Sequence, residues 1–184
     1  MTTHFLFLVA LLATVVSARH LDYKPDRAVR RVFYYEGQDD TPFKVLSVFA
    51  SSRAVDYGTD TTFLHLRPEI PAALDLSVKL GMISMDHAMV KLTVGRGQVQ
   101  FTHQHILKYF DEVCPEKRAE NGEDVVLTCS PSLAVIKGIR LPEAENLDES
   151  LRNVYYLTLR VEVIAINKDV KTSLLAVDIP LYAE

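Results

Sequence analysis

Across most of the chain, apolar residues recur at every second position. In ALDLSVKLGM, Leu74, Leu76, Val78, Leu80 and Met82 point one way and Asp75, Ser77 and Lys79 the other. That is the alternation of a strand with one buried and one wet face. AMVKLTV repeats it with Val90, Leu92 and Val94 against Lys91 and Thr93, and GQVQF with Val99 and Phe101 against Gln98 and Gln100. SLAVIKGIRLP offers Leu133, Val135, Ile139 and Leu141, LTLRVEV offers Leu157, Leu159, Val161 and Val163, and SLLAVDIPL reads as a final strand. TPFKVLSVFA and TTFLHLR are further strands with a less regular pattern.

Turn residues separate these runs at Asp56-Tyr57-Gly58, Arg67-Pro68, Gly95-Arg96-Gly97, Asn121-Gly122 and Asn167-Lys168-Asp169. The pattern predicts about eight or nine strands, at the spacing of an antiparallel sandwich or barrel. HQHILKYFDEV is the one stretch with helical spacing, where Ile106, Leu107 and Phe110 would share a face. The expected class is therefore all-β, an antiparallel β-sandwich or barrel.

The first residues change the picture of where such a domain works. MTTHFLFLVALLATVVSA carries an apolar run from Phe5 to Val16, followed by small residues ending at Ala18, and reads as a secretory signal peptide over residues 1–18. A bilayer span needs about 20 apolar residues, which this run does not reach. Residues 19–31, RHLDYKPDRAVRR, have neither apolar period and read as a flexible charged leader with a potential processing site at Arg30-Arg31. Residues 32–184 then form one domain, expected to be secreted or to reside in the lumen of an endolysosomal or vacuolar compartment.

The net charge of −4 gives no electrostatic reason to bind nucleic acid. Cys114 and Cys129 are the only cysteines, and in a secretory context they most simply form one disulfide, closing a short charged loop. A zinc site is the weaker reading, because the pair lacks CxxC spacing and neighbouring histidines. A reactive thiol would need a partner base that the sequence does not place.

Other chemistry is sparse. Gly95-Arg96-Gly97 lacks the third glycine, helix and lysine of a phosphate loop. His103 and His105, two apart in an extended segment, could face a metal together, but no third ligand stands at a telling spacing, so they read as surface histidines and no metal is expected. There is no G-x-S-x-G elbow and no H-E-x-x-H. The acidic runs from Glu116 to Asp124 and from Glu143 to Glu149 read as solvated loops. The chain looks like a binder, with no catalytic residues and no cofactor.

From about Leu74 onward the order of motifs resembles a known family. VKLGMISMDHAMVKLTV, VGRGQVQFTHQHILKYFDEVC, LTCSP, SLAVIKGIRLP, LRVEVIAINKD and SLLAVDIPL follow one another as in the ML lipid-recognition domain, the family of the Niemann-Pick type C sterol carrier and of fungal phosphatidylglycerol/phosphatidylinositol transfer proteins. The resemblance implies that Cys114–Cys129 is the disulfide beside the strand that follows it. The family's usual first-to-last-strand bridge has no counterpart: Ala176 stands where one cysteine would be expected, and none occurs near Phe33 to Glu36. Residues 38–71 match poorly.

The resemblance further implies an immunoglobulin-like antiparallel β-sandwich with an apolar cavity between the sheets holding a phospholipid or sterol. Period-two patterning alone serves a packed and a hollow interior equally. Under the hollow reading the wall residues are Leu80, Met82, Val90, Leu92, Val99, Phe101, Ile106, Phe110, Val135, Ile139, Leu159, Val161 and Val163, and Met82, Met85 and Met89 are adaptable packers that mark either an entrance or only a turn with apolar flanks. The expectation is a monomeric lipid-binding and transfer protein making transient membrane contact. The alternative is a secreted immunoglobulin-like interaction module binding a protein or glycan, although the chain has no Trp and its cysteines are too close for the usual inter-sheet bridge. A hydrolase on an all-β scaffold ranks third.

Overall fold

A computed structural model describes residues 29–36, 40–51, 54–57, 62–118 and 124–184. The signal peptide, most of the leader and the Asn121-Gly122 turn lie outside the described residues. The described strands are β1 (Val29–Val32), β2 (Tyr35–Glu36), β3 (Lys44–Ser51), β4 (Val55–Tyr57), β5 (Thr62–Leu66), β6 (Ala73–Lys79), β7 (Ile83–Met85), β8 (His87–Arg96), β9 (Val99–Ile106), β10 (Glu116–Arg118), β11 (Val125–Cys129), β12 (Leu133–Arg140), β13 (Val154–Asn167) and β14 (Val170–Ala183). Three short 3₁₀ turns lie at Phe110–Glu112, Ala144–Asn146 and Glu149–Leu151.

The strands form three sheets. One has four strands in the order β1-β3-β6-β12, a small one has the order β10-β11-β7, and a seven-stranded one runs β4-β5-β14-β13-β8-β9 with β2 also paired to β14. Neighbours are antiparallel except β5, which runs parallel to β14 through Leu64↔Leu181. The class is mostly β, as the alternation predicts.

Two local expectations change. His103 to Ile106 belong to β9, and the chain then turns through Tyr109, whose φ of 66° is left-handed, into one 3₁₀ turn. The apolar spacing that suggested a helix instead places Leu107 and Phe110 in the core beyond the end of a strand. At the other end of the chain, Val29, Arg30 and Arg31 pair with Ser51, Ala50 and Phe49 of β3, so the expected leader is part of a sheet in its last three residues.

Cross-strand register explains the interior. In the four-stranded sheet the rungs Val48–Leu76–Ile136 and Ala50–Leu74–Ile139 are buried throughout. In the seven-stranded sheet Leu175–Val163–Val90, Val177–Val161–Leu92 and Ile179–Leu159–Val94 do the same. Both sets belong to a single apolar core. The opposite face of the seven-stranded sheet is polar, with Arg160 paired to Asp178 at 3.2 Å and Lys91 to Glu162 at 3.6 Å.

Bulges keep these rows in phase. Between Ile136 and Ile139, β12 carries one residue more than β6. Gly138 takes φ +68° there, a left-handed conformation that glycine adopts without steric cost, and its N–H, freed from the ladder, donates to Asp75 Oδ1 at 2.9 Å. Leu174 is the extra residue of β14; its carbonyl accepts from the Phe43 N–H at 2.9 Å, tying the approach to β3 onto the seven-stranded sheet. β1 also touches β5. The two larger sheets are thus joined along this flank.

The Cys114–Cys129 disulfide is formed, and both cysteines are fully buried. The Cys114 N–H donates to the Phe110 carbonyl at 2.8 Å. Leu80, Met85, Leu107, Phe110 and Leu127 lie in the same core, so the bridge clamps one end of the interior. A disulfide persists in an oxidising compartment. Among the described residues no helix is long and apolar enough to cross a membrane.

Candidate functional site

β9 is the edge strand of the seven-stranded sheet and β12 that of the four-stranded sheet, each at the end of its sheet away from the joined strands. β9 continues the alternation of GQVQF: Val99, Phe101, His103 and His105 form one row, with Phe101 opposite Val94, His103 opposite Leu92 and His105 opposite Val90. Partners across an antiparallel ladder point to the same face, so this row faces the core side. Val90, Leu92 and Val94 are fully buried, whereas Val99 and His103 are exposed and Phe101 and His105 only half-buried. The rungs that begin buried in the middle of the sheet therefore end on an uncovered ledge.

The ledge is bounded at both ends. The segment carrying Glu149–Leu151 packs on β8 and β9, with Leu147 and Leu151 buried. It is held by Asp148, which accepts from the Ser150 N–H at 2.9 Å and from Ser150 Oγ at 2.7 Å; these bonds lower the Asp148 pKa. At the other end the Leu107 N–H donates to the Ala88 carbonyl at 3.0 Å, leading into the disulfide loop.

The ledge has its own electrostatics. The His103 and His105 rings lie 5.5 Å apart, centroid to centroid, tilted by 42°. His105 Nδ1 is buried without a hydrogen-bond partner. Desolvation pushes the His105 pKa below its usual value of 6.5, and repulsion from His103 and then from Arg140, at the end of β12, pushes it the same way. Among the described residues no third His, Cys, Asp or Glu joins the pair in a group able to hold a metal ion.

The residues expected to line a lipid cavity divide between two settings. Leu80, Val90, Leu92, Phe110, Ile139, Leu159, Val161 and Val163 lie in the single core, and Phe101 packs against it. Val99, the first residue of β9, is exposed. Ile106, 60 % exposed, and Val135, 40 % exposed, fall on the outward rows opposite Met89 and Ser77, and Met82, 79 % exposed, sits in the link between β6 and β7. The simple alternation fails for Val135 because the bulge at Gly138 shifts the phase of β12, leaving Ile136 and Ile139 inward instead. Of the three methionines expected to mark an entrance or a turn, Met85 and Met89 are buried.

Sequence reading took His103 and His105 for surface residues and did not single out Arg140. The signal for the histidines was present, since they extend the parity of Val99 and Phe101. Nothing in the pattern placed Arg140 near them. No protein-family model matches the chain, and no curated protein matches it.

Proposed function

We propose that the protein is a secreted or luminal lipid carrier of ML type, an immunoglobulin-like β-sandwich that holds a phospholipid or sterol non-covalently between its two larger sheets and transfers it between membranes. The observation that carries this reading is the half-covered ledge of β9. A solid domain has every reason to seal inward-facing apolar positions, whereas a carrier needs one flank through which a hydrocarbon tail can pass. The joined flank at β1, β5 and Phe43 supports the same division into a hinge side and a mouth side. The motif order from Leu74 onward and the Cys114–Cys129 bridge agree with it.

Burial of an acyl chain contributes about 0.8 kcal/mol per CH₂, so affinity requires no charged contact and specificity falls to the polar rim. Incubation with donor vesicles containing a fluorescent phospholipid or sterol, followed by transfer to acceptor vesicles, tests the proposal. Saturable uptake and accelerated transfer support it; transfer no faster than without protein rejects it.

A second reading, an interaction module binding a protein or glycan through its surface, is favoured by one specific feature. Met82, Tyr109 and Leu133 are each more than 70 % exposed although apolar or aromatic. Under that reading Leu133→Ser and Tyr109→Ser would abolish partner capture and leave lipid uptake absent throughout.

A further inference from the structure

The outer faces of the two larger sheets differ in charge. On the seven-stranded sheet the signs alternate, with Arg160 beside Asp178 and Lys91 beside Glu162. On the four-stranded sheet the buried rungs Val48–Leu76–Ile136 and Ala50–Leu74–Ile139 fix the inner face, so the positions between them point outward. These bring Arg31 of β1, Lys44 of β3, Lys79 of β6 and Lys137 and Arg140 of β12 to one face, and all five are exposed. Among the described residues the one carboxylate in these outward rows is Asp75, whose Oδ1 accepts from the Gly138 N–H at 2.9 Å. This face of one sign belongs to a chain in which acidic residues outnumber basic ones, 24 to 20. Protection of sheet edges by lysine does not account for it, because Lys44 and Lys79 lie on the two inner strands.

The same face presents apolar side chains to solvent. Leu133, opposite Lys79, is 74 % exposed; Val135, opposite Ser77, and Leu46, the extra residue where β3 shifts register against β6, are exposed as well. Met82, 79 % exposed, lies at the same end. The Leu80 N–H donates to the Ser132 carbonyl at 2.8 Å and Ile83 pairs with Cys129, so the link carrying Met82 runs beside the link that leads into Leu133.

We propose that this face docks the protein on the surface of an anionic bilayer, its five cations against the lipid headgroups and Leu133 and Met82 entering the boundary beneath them. Charge complementarity sets the sign of the partner, since each Lys or Arg held near an anionic leaflet adds to the attraction. The apolar side chains select a bilayer over a soluble polyanion, which has no apolar layer to receive them. The acidic remainder of the chain turns the basic face toward such a surface. Docking of this kind lies apart from the β9 ledge and does not depend on a lipid entering the protein.

The test is flotation of the whole protein with vesicles of phosphatidylcholine alone and of phosphatidylcholine mixed with phosphatidylserine. Partition onto the mixed vesicles is expected to be at least tenfold stronger, and to fall as NaCl rises from about 0.05 M to about 0.5 M. Lys79→Gln with Lys137→Gln should weaken it at least tenfold, at about fivefold per charge, and Met82→Ser with Leu133→Ser about tenfold. Lys171→Gln, at an exposed position of the seven-stranded sheet, should leave it unchanged. Equal partition onto both vesicles overturns the proposal, as does partition onto the mixed vesicles that ignores salt and the lysine pair. Retention on heparin with no vesicle binding also overturns it, in favour of a soluble polyanion. Lys79- and Lys137-dependent vesicle binding without transfer of fluorescent lipid keeps the docking face and removes the carrier reading. Lipid transfer that is equally fast from both vesicles and indifferent to the lysine pair overturns the docking face and leaves the carrier reading standing.

Discussion

His105 stands directly opposite Val90 across the β8–β9 ladder, on the same face of the sheet, yet Val90 is fully buried and His105 only half-buried. One strand further out, the interior has become a rim. The position of that boundary, between β8 and β9, decides which side chains can meet a ligand first.

The lowered pKa of His105 links this rim to stability. Burial, then His103 and Arg140, disfavour its protonated form in the folded state, so as pH falls through about 6.5 the unfolded chain takes up the proton more readily than the folded one. This contribution is absent above that pH and destabilises progressively below it, down to the folded-state pKa. Urea unfolding of the wild type should therefore show a midpoint that falls with acidification more steeply than that of His105→Gln. Parallel pH profiles would contradict the assignment.

The disulfide closes a loop between residues separated by 15 positions, for which the chain-entropy model gives about 3 kcal/mol. Its sulfurs also sit in the apolar end of the core beside Phe110. Paired Cys114→Ala and Cys129→Ala substitution should lower unfolding stability by about 2–5 kcal/mol, measured by denaturant melts. A loss under ~1 kcal/mol would mean that the clamp contributes little.

Gly138 and Asp75 form a unit that sets the phase of β12. Gly138→Ala places a Cβ in a left-handed conformation, at a cost of about 1 kcal/mol or more, even though open space surrounds the site. Asp75→Ala removes the acceptor for the Gly138 N–H and should cost about 0.5–1.5 kcal/mol. The two effects share one hydrogen bond and should be less than additive; strict additivity in a double-mutant cycle would show that the bond does not hold the bulge.

Gly81 meets a different constraint. A Cβ there would lie 2.5 Å from the Pro42 carbonyl oxygen, a backbone atom that cannot rotate away. Gly81→Ala should destabilise by about 1–3 kcal/mol, the usual range for overpacking, and a thermal melt unchanged from the wild type would show that the Pro42 loop yields freely.

The longer strands were legible because period-two alternation survives wherever one face is buried: β6, β8, β13 and β14 appear in the sequence much as they do in space. Short elements such as β2, β7 and β10 were not, since two or three residues cannot display a period. Bulges were invisible for a related reason. A single inserted residue at Gly138 or Leu174 inverts the parity after it, so Val135 reads inward from the pattern and lies outward in the sheet. The disulfide followed from counting two thiols in a secretory context. The rim did not follow, because how far β9 is covered depends on which distant segments pack over it, as the Glu149–Leu151 turn does, and no local pattern encodes that.

The most direct test of the carrier reading is native mass spectrometry of the purified secreted protein, followed by organic extraction. The account predicts a mass excess equal to about one phospholipid or sterol per chain, lost on extraction and restored by vesicles. A protein that runs at its bare mass and takes up neither lipid class when offered would contradict it.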